Sequence, residues 1–345
     1  MLPSSIAKNA SSSLKLVNES WKRVLTSRKH LSRSVPVFGI LALCITSIVS
    51  SNNRFSWCQQ NSLSSSRQKQ DDMMIPCSQR LQKVEEQYNK RRQARMEAAA
   101  STNVHNLTKQ TQFDPFEPDA VCFTEERFGS DSEQRYDAFG DGPKFICGAD
   151  VITNKNLEAK RRNEKPCLVY SIGSNNDIQF EKSVHGFLGC ETHTFDPTLK
   201  EEFKGKEYAT FHPWGIGKDG ATVKFRKSHT WTAKSIESVM NTLGHMDRTI
   251  DILKIDCERC EYDAMPPFFD LVAAGKIRVH QIQIEVHVTE LPSVIELFQA
   301  ADRAKMRIFH KERNGWGCMG WRCVEYSFIS ESFLREANRA AVCGT

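Results

Sequence analysis

The clearest alternation of apolar and polar positions lies near the middle of the chain. Residues 167–172 form an apolar run rich in strand-forming side chains, which ends at Gly173 and a polar turn. Between residues 180 and 188 the apolar positions recur at helical spacing, which predicts a helix with one buried face. A second apolar run then ends in Asp196 and Pro197. This order of strand, glycine turn, helix, strand and acid is typical of a nucleotide-binding βαβ unit, whose ligand lies at the carboxyl ends of its strands.

The composition of the turn indicates which ligand this unit binds. A dinucleotide fold normally carries the pattern G-x-G-x-x-G, because its backbone must approach a pyrophosphate closely. Here Gly173 is the only glycine of the turn, and Asp196 follows it after 23 positions. A ligand with a ribose but no phosphates needs one glycine for close approach and one acid for the ribose hydroxyls, which favours S-adenosylmethionine over NAD. The alternative is a buried pair of strands that ends in a surface aspartate.

Downstream of this unit, short apolar runs and amphipathic segments continue to alternate. The pattern predicts strands at residues 208–212, 250–255, 277–286, 306–309 and 323–329, an additional strand at 221–225, and helices at 233–243 and 291–304. Such alternation is typical of a mostly parallel sheet with helices on both faces. Because only a loop separates the last two strands, we expect an antiparallel strand at the C-terminal end. The predicted fold class is α/β, with a doubly wound, Rossmann-like sheet of seven strands.

The N-terminal part contains one long apolar segment. Residues 34–53 carry no charge, and a helix of about 20 residues can cross a hydrocarbon core of about 30 Å. Positive charge precedes the segment in the basic tail, residues 1–34. This asymmetry predicts a signal-anchor at residues 35–51, with a cytosolic N-terminus and a lumenal body. A cleaved signal peptide and an organelle transit peptide remain open, because the apolar core is short and the tail is rich in serine and poor in acids.

The next segment, residues 52–118, has the composition of a stem. Serine and glutamine dominate its first part, and residues 78–100 follow as a highly charged helix with a narrow apolar side. We interpret this helix as a solvated spacer, because the apolar stripe is too short for a coiled coil. Asn106 begins a glycosylation sequon, which has meaning only if this region is lumenal.

Residues 119–345 are predicted to form the catalytic domain. Aromatic residues return between 121 and 150, which we interpret as a lead-in that packs on this domain. Cys122 and Cys147 bracket the lead-in and can form a disulfide in an oxidising lumen.

The net charge of +5 belongs to the N-terminus rather than to the body of the chain. Residues 1–34 carry seven Lys and Arg against one acid, which leaves 40 basic and 41 acidic residues in the rest. The body therefore lacks the basic field that nucleic-acid binding usually needs, and we expect no nucleic-acid partner.

The twelve cysteines show no array of zinc ligands. Cys257 and Cys260 form a lone C-x-x-C, whereas a zinc site needs a second pair or suitably spaced histidines. We interpret the two as unrelated core-facing thiols and expect no metal.

Three acids stand where predicted strands end, namely Asp196, Asp256 and Glu285. In a doubly wound sheet the carboxyl ends of the strands line one crevice, so these carboxylates are expected to converge there. The alternative is that they are ordinary loop acids, since Asp and Glu are common where strands end.

The segment at residues 253–261, L-K-I-D-C-E-R-C-E, resembles the L-K-x-D-x-E-G-x-E segment of FkbM-type S-adenosylmethionine-dependent methyltransferases. Other matching segments resemble a eukaryotic branch, the methyltransferase-like proteins with an N-terminal membrane anchor, and lie at residues 170–173, 180–181, 194–197, 212–217, 243–245, 310–312 and 323–328. The resemblance covers about residues 118–332 and implies a class I methyltransferase fold. Two positions depart from the family pattern: Arg259 replaces the glycine of E-G-x-E, and Ser171 stands where many methyltransferases carry an acid.

The resemblance also implies a cofactor site. Gly173 would face the methionine part of S-adenosylmethionine, and Asp196 would hold the ribose hydroxyls. Ser171, Ser174 and Pro197 adjoin these two and complete the candidate cofactor residues, together with Asp256.

The same resemblance places the chemistry in the crevice. Asp256 and Glu258 would line it, and His287, beside Glu285, is the candidate general base, with Asp256 as the second candidate. These four are the candidate catalytic residues. The alternative for His287 is a polar residue that caps its strand.

These observations predict an enzyme that transfers a methyl group from S-adenosylmethionine to a hydroxyl of a small-molecule or glycan acceptor. It would be a glycoprotein anchored in the Golgi or endoplasmic reticulum membrane by one helix, with a lumenal catalytic domain; secreted or organelle-targeted forms are alternatives. Two other functions remain open. One is a catalytically inactive binding protein that keeps the fold, and the other is an NAD-dependent oxidoreductase, which the single glycine disfavours.

Overall fold

The computed structural model describes residues 76–101, 107–129, 142–199, 203–225, 229–315 and 318–344. The predicted basic tail, the signal-anchor at 35–51, the first part of the stem and Asn106 lie outside these residues. Within the described part of the chain, no helix combines the length and the apolar character that crossing a membrane requires.

Helices and strands alternate along the described chain. The helices are α1 (Cys77–Ser101), α2 (Ala149–Arg161), α3 (Gln179–Leu188), α4 (Ile236–Leu243), α5 (Glu261–Ala273), α6 (Leu291–Arg303) and α7 (Glu331–Cys343). The strands are β1 (Glu125–Phe128), β2 (Lys144–Cys147), β3 (Leu168–Ile172), β4 (Glu191–Phe195), β5 (Thr210–His212), β6 (Gly215–Ile216), β7 (Thr222–Phe225), β8 (His229–Lys234), β9 (Thr249–Ile255), β10 (Arg278–His287), β11 (Met306–Arg313) and β12 (Cys323–Ser330).

The main sheet has seven strands in the order β11-β12-β10-β9-β3-β4-β5. Strands β10, β9, β3, β4 and β5 are parallel, whereas β12 pairs antiparallel with both β10 and β11. The predicted fold class is therefore confirmed: a doubly wound α/β sheet of seven strands, mostly parallel, with an antiparallel strand at its C-terminal end. The chain reverses its direction of winding between β3 and β9, where a doubly wound sheet opens a ligand crevice.

Helices cover both faces of this sheet and bury its central strands. One apolar cluster joins the sheet to α4, α5 and α6, and the other joins it to α2, α3 and α7. All five residues of β3 are buried, which explains its continuous apolar sequence in place of alternation. The two clusters form the core of a three-layer domain.

Helix α4 begins later than its sequence pattern predicts. Ser235 caps the helix, since its hydroxyl accepts a hydrogen bond from the backbone N–H of Ser238 at 3.1 Å. Ala233, which the pattern assigned to the helix, belongs to β8, where Gly215 of β6 pairs with it. Pairing within the three-stranded sheet β6-β8-β7 therefore decides the conformation of this residue.

The charged helix α1 packs against the domain through its narrow apolar side, which corrects its interpretation as a solvated spacer. Tyr88 donates a hydrogen bond to the carbonyl oxygen of Val121 and accepts one from Asn338 Nδ2 at 3.2 Å. A disulfide between Cys77 and Cys343 joins α1 to α7. The predicted stem contributes to the core as well, because Phe113 is buried in the cluster that contains α4, α5 and α6.

All ten cysteines in the described residues form disulfides. The pairs are Cys77–Cys343, Cys122–Cys147, Cys167–Cys190, Cys257–Cys260 and Cys318–Cys323. The Cys122–Cys147 bond agrees with the predicted possibility. The Cys257–Cys260 bond corrects the interpretation of two unrelated thiols.

Candidate active site

A cavity of about 720 Å³ opens at the carboxyl ends of the central strands. Gly173 follows β3, Asp196 follows β4, Asp256 follows β9, and Glu285 lies near the end of β10; all four line the cavity. The expected convergence of the three acids is thus confirmed. Their common position follows from parallel strands, whose carboxyl ends meet at one edge.

Gly173 is where the turns after β3 and β9 touch. Its φ is +75°, and a Cβ at this position would lie 1.7 Å from the carbonyl oxygen of Asp256. The Gly173 N–H donates to the carbonyl oxygen of Phe195 at 2.9 Å, and its own carbonyl oxygen accepts from Lys254 Nζ at 2.8 Å. Only glycine fits where these two turns touch, so contact with the backbone of Asp256 by itself requires glycine at this position, whether or not a ligand binds.

Asp196 organises the polar turn that follows Gly173. One oxygen of its buried carboxylate accepts from the backbone N–H of Asn175 at 2.9 Å. The other accepts from the N–H and the hydroxyl of Thr198 at 2.8 and 2.6 Å. Asn175 has a positive φ of 46°, which Asn tolerates better than most residues. The predicted ribose acid therefore also holds the turn in shape.

Two of the predicted cofactor residues beside Gly173 have different environments. Ser174 lines the cavity and is buried, and its hydroxyl has no hydrogen-bond partner within the described part of the protein. Ser171 does not line the cavity, because its side chain points toward α3 and donates to Glu181 Oε1 at 2.5 Å. Pro197 lies in the cavity wall as predicted.

Asp256 is held in its ionised form by lysine. Burial alone would raise its pKa, but the charges of Lys144 and Lys254 outweigh burial and lower it. Lys144 is itself buried and bonds Glu325, with its Nζ 3.9 Å from an Asp256 oxygen. Burial would lower the pKa of Lys144, but the charges of Glu325 and Asp256 raise it instead. The lysine therefore stays protonated between these two carboxylates.

Glu285 has the opposite protonation. Burial and the nearby charges of Asp256 and Glu325 raise its pKa to about 9. Of these two neighbouring carboxyl groups, Glu285 therefore carries a proton at neutral pH and Asp256 does not. Asn314 Nδ2 donates to Glu285 Oε1 at 2.8 Å and fixes the orientation of the group.

His287 is held in place by the carboxylate of Glu261, which the sequence pattern did not predict as a site residue. Glu261, at the start of α5, is 0% exposed, and its Oε1 accepts from the His287 backbone N–H at 2.9 Å and lies 3.0 Å from Nδ1. Burial would lower the pKa of His287, but the hydrogen bond and charge of Glu261, with the charge that Glu285 gains when it ionises near pH 9 and the charge of Glu258, raise it to about 9. The imidazole is therefore protonated at neutral pH, with Nε2 lying 3.6 Å from Glu258 Oε2 and 3.7 Å from Glu285 Oε2.

The loop after β9 has a left-handed backbone at Arg259, the position where the family pattern has glycine. Glu258 and Arg259 have φ values of 55° and 87°, and this left-handed turn brings Cys257 and Cys260 together in their disulfide. The four residues line the cavity, and the Glu258 side chain is 67% exposed. A glycine would adopt this conformation freely, whereas arginine pays a steric penalty.

We therefore expect Arg259→Gly to stabilise the fold. Relief of the left-handed conformation should raise the free energy of unfolding by about 1 kcal/mol, measured by chemical denaturation under non-reducing conditions. Arg259→Ala is the matched control, because it removes the same charge but keeps the Cβ. An equal gain in both variants would assign the effect to charge and contradict the backbone explanation.

Other residues considered from the sequence lie away from the cavity lining. His310 bonds Glu125 Oε1 through Nδ1 at 2.7 Å and stacks on Phe145. Trp321 lies against Arg322, and Trp316 lies outside the described residues.

Sequence reasoning missed the charged residues that set the protonation of the site. Lys144 and Glu325 come from β2 and β12, far apart in sequence. Lys144 lies outside the segments that carry the family resemblance, and Glu325 lies in the segment at 323–328, whose match assigned it no role. Glu261 is the last residue of the segment at 253–261 that carries the family resemblance. The sequence therefore marked its position, but it did not indicate that Glu261 holds His287.

The comparison with protein families agrees with this geometry. A family model described as a methyltransferase domain matches residues 69–330, which is most of the chain.

Individual relatives match over shorter stretches. The human protein named probable methyltransferase-like protein 24 is 31% identical over 151 residues, covering 42% of this chain and 38% of that protein. The rat protein of the same name is 27% identical over 164 residues, covering 42% and 43%. The chain thus spans less than half the length of these relatives. The solved structure of methyltransferase FkbM from Methylobacillus flagellatus KT is similar with a TM-score of 0.32 at 13% identity, covering 48% of this chain and 44% of that one.

Proposed function

The chain belongs to the methyltransferase-domain family, and from that premise we propose that it transfers a methyl group from S-adenosylmethionine to a hydroxyl of a small-molecule or glycan acceptor. The two ends of the cavity support different parts of this proposal. The turn after β3 fits the cofactor, and the acids and histidine near β9 and β10 fit the acceptor.

The unpartnered hydroxyl of Ser174 is the observation that carries the cofactor assignment. A buried hydroxyl without a partner costs about 1–3 kcal/mol, and a ligand group that bonds it would remove this cost. Ser174 lies next to Gly173, where the methionine carboxylate of S-adenosylmethionine would reach it. Asp196 accepts three hydrogen bonds from Asn175 and Thr198, and its carboxylate offers about four acceptor sites, so it can also accept a hydrogen bond from one ribose hydroxyl.

The reaction requires alignment and removal of one proton. S-adenosylmethionine supplies a methyl group on a sulfonium, which is already a good leaving group. The protein has to hold the acceptor oxygen in line with that methyl group and take up the hydroxyl proton. We assign the proton to Nε2 of His287 in its neutral form, which becomes the main form above pH 9, and the orientation of the hydroxyl to ionised Asp256, which accepts its hydrogen bond.

The ionisation of the cavity also favours a hydroxyl-rich acceptor. Asp256 is ionised and the exposed side chain of Glu258 lies at the rim, so the cavity offers several hydrogen-bond acceptors. Sugars and other polyols present donors to such a surface. This is the physical basis for a glycan or small polyol acceptor.

The disulfides support a location in an oxidising compartment. Structural disulfides persist in secretory compartments and are rare in the cytosol, and ten cysteines of the described residues are paired. Together with the predicted signal-anchor, they support a type II protein whose catalytic domain faces the lumen of the Golgi or endoplasmic reticulum. Labelling of these ten cysteines by a thiol reagent, in protein isolated from cells without reductant, would contradict this location.

Calorimetric titration of the full-length chain with S-adenosylmethionine and, separately, with NAD tests the proposed function. We expect saturable binding of S-adenosylmethionine alone, followed by methylation of hydroxyl acceptors in a screen that begins with glycans. Binding of NAD alone would support an oxidoreductase instead. Cofactor binding without turnover on any acceptor would favour a binding protein, and a folded chain that binds neither ligand would overturn the cofactor assignment.

A further inference from the structure

A second cluster of chemically active side chains lies at the opposite end of β4 from the cofactor cavity. Glu191 begins β4, His193 lies two residues later, and His245 follows the end of α4. His193 Nε2 lies 3.0 Å from Glu191 Oε1, and His245 Nε2 lies 3.8 Å from the same oxygen. One nitrogen of each histidine and one carboxylate oxygen thus face a common point, and the three atoms lie within 4.8 Å of one another.

The outward nitrogens of both histidines are held by polar groups. His193 Nδ1 is 2.9 Å from His212 Nε2, and His245 Nδ1 is 2.8 Å from the hydroxyl of Tyr170. Metal-binding histidines almost always bond a polar group through the nitrogen that does not face the ion, which fixes both the tautomer and the ring orientation. This cluster has that arrangement for both of its histidines.

The carboxylate of the cluster is held in a fixed orientation by a neighbouring side chain. Arg248 Nη1 bonds the second oxygen of Glu191 at 2.7 Å, which orients the first oxygen toward the histidines.

We propose that Glu191, His193 and His245 bind one Zn²⁺ ion. Two imidazole nitrogens and one carboxylate oxygen form a common zinc donor set. Bonds of about 2.0–2.1 Å in a tetrahedron place the donor atoms about 3.3 Å apart, and the distances from Glu191 Oε1 to the two nitrogens bracket that value. Glu191 is partly exposed, so water can occupy the fourth position.

The ion would add a second link between two parts of the fold that the ion pair of Arg248 with Glu191 already joins. It joins β4 to the segment between α4 and β9. His212, which bonds His193, stacks on Phe195, and Phe195 lines the cofactor cavity. The zinc site therefore lies under the cavity and supports it from the opposite end of β4. The proposed methyl transfer does not depend on this site.

Zinc titration of the full-length chain tests this assignment. The protein carries no polyhistidine tag, is stripped with a chelator that is then removed, and is kept without reductant so that its disulfides offer no thiolates. We expect one Zn²⁺ per chain by calorimetry and by elemental analysis. Glu191→Gln and His245→Gln should each lower the zinc affinity by more than about 100-fold, and Tyr170→Phe by about 10- to 100-fold.

His280→Gln is the matched control. His280 Nδ1 also bonds a carboxylate, Asp251 Oδ1 at 3.0 Å, but lies outside the cluster, so its removal should leave the affinity for zinc unchanged. Circular dichroism establishes that each variant is folded. Absence of saturable binding by the unmodified chain would overturn the proposal and leave a metal-free hydrogen-bond network. Binding of equal affinity by both Glu191→Gln and His245→Gln would also overturn it, since the ion would then lie elsewhere.

Discussion

Replacing His287 with glutamine should lower kcat by about 100- to 10,000-fold, the range that a general base contributes. Glutamine keeps a polar side chain at the end of β10 but cannot take up the proton of the acceptor hydroxyl. Binding of S-adenosylmethionine should change little, because the side chain of His287 contacts Glu261, Glu258 and Glu285, none of which is assigned to the cofactor. The measurement is steady-state turnover, with cofactor affinity determined separately by calorimetry.

The pH dependence of turnover identifies the general base independently of the size of the loss in kcat. The pKa of His287 is raised to about 9, so below pH 9 the ring keeps its proton and cannot accept another. Turnover should therefore rise with pH through about 9 and level off above it. This rise should be missing in His287→Gln.

Glu285→Gln separates the two groups whose pKa values lie near 9. Glu285 loses its proton near the same pH, and the negative charge that it then carries helps to keep His287 protonated, so its removal should move the rise of turnover to lower pH without abolishing it. His185→Gln, at an exposed position on α3, is the control and should match the unmodified protein. If His287→Gln keeps the alkaline rise and a kcat within a few-fold of the original, His287 is not the base.

Replacing Asp196 with alanine should lower the affinity for S-adenosylmethionine by about 100-fold. One charge-assisted hydrogen bond to the ribose contributes about 1.5–3 kcal/mol, and about 2.8 kcal/mol corresponds to a factor of about 100. The same change removes the oxygens that hold the Asn175 and Thr198 backbone N–H groups, so the turn that presents Ser174 also loosens. Calorimetric titration measures the affinity directly.

Asp196→Asn distinguishes these two contributions. The amide keeps one oxygen and the volume of the side chain but loses the charge, so we expect an affinity between those of Asp196→Ala and the unmodified chain. Asp150→Asn, at an exposed position on α2, controls for the loss of one acid. A folded Asp196→Ala variant with unchanged affinity would exclude Asp196 from the ribose site.

Much of the fold could be predicted because its signals are local. The apolar runs of β3 and β9 and the periodicity of α3 follow from residues that are close in sequence. The short strands β1 and β2 were predicted only as a lead-in, and helix α5 was not assigned. Pro266 and Pro267 interrupt the α5 pattern, and its helical conformation depends on Phe268 and Phe269 packing into the core.

Sequence alone determined that three acids would converge, because Asp196, Asp256 and Glu285 follow or end parallel strands whose carboxyl ends meet at one edge whatever the details of packing. Tertiary structure decided which of them carries a proton. The pKa of a carboxyl depends on burial and on charges within a few ångströms, and here those charges come from Lys144 and Glu325, remote in sequence.

The same distinction applies to the histidines. No spacing in the chain relates His193 to His245, and sequence analysis accordingly expected no metal. Only the tertiary structure, in which α4 packs on the sheet that contains β4, brings both histidines to one carboxylate. Side chains 52 positions apart can meet in the folded protein without leaving any sequence pattern.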